Sequence, residues 1–233
     1  MARQARLSFP RLPHWLVQRG HSGRPVFVDA EDQRLYLGHL VDSCRLQSVE
    51  LHALALLPHE IHLLLTPQDA SGISQALHRT GSRYSAPFNR RHGRSGTLWD
   101  GRFRLAVLAP DRVLAVMAHI ELAPERASLC ASAGQYGWSS APVHLGQTGA
   151  LDWPPGWLSP PPAWWALGNT PFEREAAWRQ RLQQAREAGP ATTEALERSL
   201  RSGVLGDAAF VAELQRQTPR PLTRAPVGRP RRE

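Results

Sequence analysis

The sequence predicts an α+β sandwich: an antiparallel sheet with helices packed on it, and a helical extension at the C-terminal end. Three observations carry this. Apolar residues are 42% of the 233, enough for a sizeable core. Segments of period 2 and period 3.6 follow one another as strand, helix, strand, strand, helix, strand, helix over about residues 1–146. After about Leu145 the composition shifts to Pro and Trp, then to helical patterns, with no internal repeat.

His14 to Arg19 (HWLVQR) alternates apolar and polar side chains and reads as a half-buried strand. A turn over Gly20 to Gly23 follows. Asp29 reads as the N-cap of a helix reaching about Gln47, with Leu35, Leu37, Leu40, Val41 and Cys44 at roughly helical spacing. Ser48–Leu57 and Ile61–Thr66 read as a hairpin turning at Pro58. Ser71–Arg91 carries a second helical pattern through Ile73, Leu77, Tyr84 and Phe88, in which Pro87 should kink or end the helix. Phe103–Leu108 returns as a strand. Asp111 reads as the cap of a third helix, which stops at Leu122 before Pro124. A Pro- and Trp-rich linker then leads, within residues 147–218, to helices over about Glu173–Ala188, Glu194–Ser202 and Asp207–Gln217. The Arg- and Pro-rich tail, 219–233, reads as disordered.

The formal net charge is +8, which favours a polyanionic partner, nucleic acid first. All 28 basic residues are Arg, so their clustering is more informative than their number. No run of apolar residues is long enough for a membrane span or a signal peptide, and no membrane partner is expected. Cys44 and Cys130 lack the CxxC spacing of a zinc knuckle and read as buried, reduced thiols, which fits the cytoplasm.

Three local features could carry chemistry. In Leu57–Leu65 (LPHEIHLLL), Glu60 and His62 are two residues apart on a strand and project to one face. A carboxylate and an imidazole can hold a divalent metal, though two ligands need a third; the same pair is also what an ion pair on a sheet surface looks like. The second feature is a cluster of seven arginines, Arg79, Arg83, Arg90, Arg91, Arg94, Arg102 and Arg104, against one acid, Asp100. Such a cluster can make salt-dependent phosphate contacts. Trp99 within it is either a platform for an unpaired base or a core residue. The third is the Gly-Arg-Pro core at 228–230, flanked by Arg, with Arg229 and Arg231 as candidates for a narrow A·T minor groove; a basic solubilising tail is the plain alternative.

The chain resembles the REP-associated tyrosine transposases, a branch of the single-tyrosine HUH transposases. The resemblance runs through HWLVQRGHSGRPVF, LLPHEIHLLLTP, FNRRHGRSGTLWDGRFR, HIELAPERASL and YGWSS, and continues into WWALGNTPFEREAAWR and VLGDAAFVAELQ. It implies a ferredoxin-type HUH sandwich and single-stranded or hairpin DNA as partner. It also implies magnesium or manganese as cofactor and a tyrosine that attacks the scissile phosphate; a homodimer is compatible with it. The chain departs from the family's pattern where that chemistry sits. The first metal histidine falls on Glu60, and only His62 keeps its type. The nucleophilic tyrosine falls on His119, and the polar ligand one helical turn later falls on Ala123. The resemblance therefore implies a DNA-binding protein with impaired strand transfer. The alternatives are an active nicking and joining enzyme with an altered metal site, and a non-catalytic nucleic-acid-binding regulator.

Overall fold

The computed structural model describes residues 7–147 and 156–222. Its elements in chain order are β1 (His14–Arg19), α1 (Ala30–Leu46), β2 (Val49–Leu57), β3 (Glu60–Pro67), α2 (Gly72–Arg91), β4 (Arg104–Leu108), α3 (Val113–Glu121), α4 (Ala123–Arg126), α5 (Ala141–His144), α6 (Pro162–Trp165), α7 (Pro171–Glu187), α8 (Gly189–Ser202), β5 (Val204–Leu205) and α9 (Ala208–Arg216). The strands form one sheet in the order β2-β3-β1-β4-β5. β1, β2, β3 and β4 pair antiparallel, while β5 joins β4 in parallel. The fold is the expected α+β sandwich, and β5 makes its sheet mixed.

Alternation along the strands builds two cores, because neighbouring side chains on a strand face opposite ways. Leu16, Leu54, Leu56, Ile61, Leu63 and Leu65 pack with α1 and α2. Trp15, Val17, Ala53, Ala55, Leu57 and Leu64 face the other way, onto α3 and onto Trp178, Leu182 and Leu200 of the extension. The extension thus shares a core with the sheet. Among the described residues, no helix is long and apolar enough to cross a membrane.

Asp29 caps α1 as expected, accepting from the N–H groups of Glu31 and Asp32. Gly20 is required where β1 ends: a Cβ there would lie 2.1 Å from the Arg24 carbonyl oxygen. Three local expectations are corrected. Helix α2 runs through Pro87 to Arg91. Pro87 is exposed, so the carbonyl it leaves unpaired lies toward water, and Tyr84 and Phe88 on either side anchor the helix in the core. Asp111 does not cap α3. It sits in a 3-10 turn over Pro110–Arg112 and pairs with Arg112, and α3 starts without a side-chain cap. The chain does not stop at Pro124: it bends at Leu122 and takes one further turn, α4, with Pro124 near its start where a missing N–H costs nothing.

Candidate functional site

Glu60 and His62 project from β3 onto the face covered by α3. The His62 Nε2–H donates to Glu60 Oε1 at 2.9 Å. The pairing of β1 with β3 sets Arg19 opposite Glu60, and the Arg19 Nε–H donates to Glu60 Oε2 at 2.6 Å. Burial opposes the charge on Glu60. Hydrogen bonds and charge from His62 and Arg19 together outweigh it and hold the carboxyl down at about 2.

His119 closes the cluster from α3. Its ring meets Trp15 edge-on at 4.9 Å between centroids and lies 6.3 Å from the His62 ring. Burial first, then Arg126 and His62, push its pKa down to about 2 against the opposing pull of Glu60, so the imidazole is neutral at pH 7. Arg126 of α4 donates to the His119 carbonyl oxygen at 2.7 Å and places the same Nη2 3.3 Å from His119 Nε2. It so satisfies a free carbonyl at the C-terminal end of α3 and holds the ring in place. Burial lowers the pKa of Arg126, with Glu197, Glu60 and Glu125 pulling the other way. Ala123 brings only a buried methyl group.

These residues do not fit a magnesium- or manganese-type ion. Such an ion takes about six oxygen-rich ligands. Here Arg19 and His62 engage both Glu60 oxygens and Ala123 brings no donor. His62 Nδ1 is buried without a hydrogen-bond partner, an unused position in the cluster. Among the described residues, no group of three or more His, Cys, Asp or Glu side chains could hold a metal.

The chain has three tyrosines, and each phenol has a structural place. Tyr36 and Tyr84 are fully buried in the α1–α2 core, on the opposite face of the sheet, and burial raises the pKa of both. The Tyr84 hydroxyl donates to the Val26 carbonyl at 2.5 Å. The Tyr136 hydroxyl donates to the Leu56 carbonyl at 2.8 Å, and burial pushes it up to about 12.

The arginine cluster divides. Arg91 is committed to α1, pairing with Asp29, Glu31 and Asp32. Arg94 donates to the Pro25 carbonyl and lies over the Phe88 ring. Arg83 pairs with Asp42 at 3.8 Å across two exposed side chains. Arg79, Arg90 and Arg104 are exposed, and none makes an ion pair with another described residue. Arg79, Arg83 and Arg90 recur at helical spacing and form a stripe along α2. Arg102 is exposed on the turn before β4. The base-stacking reading of Trp99 is corrected: its ring is 8% exposed, wedged against Tyr36 and Tyr84, and has no free face. Arg229 and Arg231 lie outside the described residues.

Sequence reasoning missed Arg19, Arg126 and a buried cluster around Glu121. The Glu121 carboxylate is fully buried and accepts from Ser140 Oγ–H at 2.5 Å, His144 Nδ1–H at 2.5 Å and Trp178 Nε1–H at 2.8 Å. A carboxylate set between Ile120 and Leu122 on an apolar helix was a usable signal, since such a charge must find partners. Its donors lie 19, 23 and 57 residues away, and no local pattern names them.

No family model matches the chain, and no curated protein matches it. Among solved structures, a REP-associated tyrosine transposase bound to a REP hairpin superposes with a TM-score of 0.53 at 14% identity, over 68% of this chain and 94% of that one. The chain has the fold of a REP-associated tyrosine transposase. A proposed transposase from Deinococcus radiodurans R1 also aligns, at 25% identity and a TM-score of 0.36, over 52% of this chain and 96% of that one. Glu60, His62 and His119 lie together on the α3 face of the sheet.

Proposed function

We propose that this chain binds single-stranded or hairpin DNA on a transposase scaffold and does not cleave or join it through a phosphotyrosine. One observation carries the reading. His119, where the resemblance expects the nucleophile, is a buried, neutral imidazole held by Arg126, while the Tyr84 and Tyr136 hydroxyls are hydrogen-bonded to the backbone and Tyr36 is buried in the α1–α2 core. A phosphotyrosine route needs a free phenol and a metal at one place, and the described residues bring neither together there. DNA as partner is supported by the net charge of +8 and by the exposed arginines of α2 and β4. It is also supported by the likeness to a transposase whose structure holds a REP hairpin. Free thiols at Cys44 and Cys130 fit a cytoplasmic location.

Labelled hairpin and single-stranded oligonucleotides test this with the full chain, in manganese and in chelator. Expected are a retarded complex that weakens steeply with salt and no adduct surviving denaturing electrophoresis. A denaturation-stable adduct from the unmodified protein would restore the reading as a working nickase with an altered metal site. Failure to bind either oligonucleotide at low salt would overturn the DNA reading itself.

A further inference from the structure

Helices α3, α7 and α8 meet around a pocket of about 220 Å³, and each presents one face to it. From α3 come Leu114, Ala118 and Leu122, four residues apart, with His119 beside them. From α7 come Arg181, Gln184 and Ala185, at spacings of three and four. Gly189, at a φ of 71°, then turns the chain into α8, which adds Thr193 and Leu196. Arg126 of α4 also lines the pocket, and no carboxylate does. Alanines at 118 and 185 leave room between the helices.

We propose that this pocket binds a small organic anion, a carboxylate on a short apolar body, with Arg126 and Arg181 taking the carboxylate and Leu114, Leu122 and Leu196 the apolar part. The proposal does not depend on the DNA-binding reading. The two guanidinium groups come from separate helices, and neither makes an ion pair with another described residue. Arg126 bonds to His119 through Nη2 and makes no bond through Nη1 or Nε with another described residue. Burial opposes its charge, and the acids that act on it, Glu197 first, do so without a hydrogen bond. Two cations sharing a recess without an acid repel one another, an arrangement that an anion relieves. The guanidinium fork matches the two oxygens of a carboxylate. The leucines of α3 and α8 give the rest of the wall an apolar surface, which a bare inorganic ion would leave uncovered. The volume falls below the roughly 300–1,000 Å³ of pockets for drug-sized ligands, which limits the body to a few carbons. Neither Glu60 nor His62 lines the pocket, so the ligand would lie on the side of His119 that faces the extension.

The test is a titration of the full chain with hexanoate, followed by proton–nitrogen NMR at the Gln184 side-chain amide. Acetate supplies the head without the body, hexan-1-ol the body without the head, and dimethyl phosphate the phosphodiester of a nucleic acid. Hexanoate should bind with a dissociation constant of about 1 mM or tighter, the modest range open to a ligand of about eight non-hydrogen atoms. Each of the other three should bind at least about tenfold more weakly. Arg181→Ala, at an exposed position, should weaken hexanoate about tenfold and leave the melting temperature unchanged. Ala185→Leu should fill the pocket and abolish binding; if that variant does not fold, Arg181→Ala decides alone. Hexanoate binding untouched by Arg181→Ala would overturn the proposal, as would no binding to the unmodified chain. Equal binding of hexan-1-ol would make the pocket a plain apolar cavity. Equal binding of acetate would be the response of a basic chain to any anion, and equal binding of dimethyl phosphate would make the pocket a nucleic-acid contact. Each of these three results also overturns the carboxylate site.

Discussion

Two carboxylate–imidazole pairs flank helix α3, and they are chemically alike and physically opposite. Glu121 and His144 are closed off: the carboxylate is inaccessible and takes three neutral or cationic donors from α5, α7 and the turn at Ser140. Glu60 and His62 sit at the rim of the same face, with the Glu60 side chain 26% exposed and bonded to an Arg19 that is itself half-exposed. The first pair ties the extension to the sandwich. The second stands where the resemblance expects chemistry; the protein itself engages both Glu60 oxygens and leaves His62 Nδ1 unpaired. Residue type therefore says little about role. What decides it is how many partners the fold brings and how much water it leaves.

The largest expected effect separates the two. Glu121→Ala leaves three buried donors unpaired and should cost about 3–5 kcal/mol, the range for breaking a buried pair. In a chain of this size that is a fall in melting temperature on the order of 10 °C. Glu60→Ala leaves the buried His62 Nε2–H without its acceptor and should cost about 1–3 kcal/mol, the range for one unsatisfied buried donor. Thermal unfolding followed by circular dichroism reads both. Similar losses would mean that the rim pair is as deeply structural as the buried one.

Acid should expose the same contrast from the side of the histidines. His119 has its pKa lowered to about 2, and His14 on β1 has its pKa lowered to about 4, by burial in each case. A histidine whose folded pKa lies below its unfolded value contributes stability that is complete above about pH 6.5. That contribution is lost as pH falls, because the unfolded chain binds the proton first. At pH 5 the loss should be about 2 kcal/mol for each of the two, relative to neutral pH. Glu60 behaves differently. Its depressed pKa contributes stability present above about 4.5 and lost toward about 2, so it adds nothing to the loss at pH 5. Denaturant melts at pH 7.5 and pH 5 should show His119→Phe removing about 2 kcal/mol of the acid loss and Glu60→Gln removing none, the rest falling to His14 and to His52, whose pKa burial also lowers. A wild-type stability flat from pH 7.5 to 5 would contradict the burial of both rings.

Much of the fold was legible because strands that face two cores still alternate, and because the helices carry apolar stripes. β5 was not, since two residues have no periodicity and owe their pairing to the turn at Gly203. Glu60 and His62 were legible as a same-face pair from spacing alone. Their saturation by Arg19 was not, because it depends on the register between β1 and β3. Trp99 shows the converse: its arginine-rich neighbours suggested a surface platform, while the tyrosines that bury it come from helices 63 and 15 residues earlier. Of the basic cluster, sequence reading could not divide Arg91, which joins α2 to α1, from Arg90 beside it, which faces water.

The smallest expected effect is a metal titration at the rim pair. A divalent cation binding at Glu60 and His62 must first displace Arg19 from one oxygen and the imidazole N–H from the other, then find its remaining ligands in water. Sites lacking part of their ligand set and its supporting hydrogen bonds lose affinity steeply. Calorimetry with manganese at pH 7.5 should therefore give a dissociation constant no tighter than the high micromolar range. Arg19→Ala frees one carboxylate oxygen and should tighten binding no more than slightly, because the ligand count remains two. The pair His119→Tyr with Ala123→Asn adds oxygen donors from α3 and α4 and should do more. A sub-micromolar constant in the unmodified chain, abolished by Glu60→Ala, would show that the cluster reorganises around the ion, and would move the rim pair from the structural to the catalytic side of the comparison.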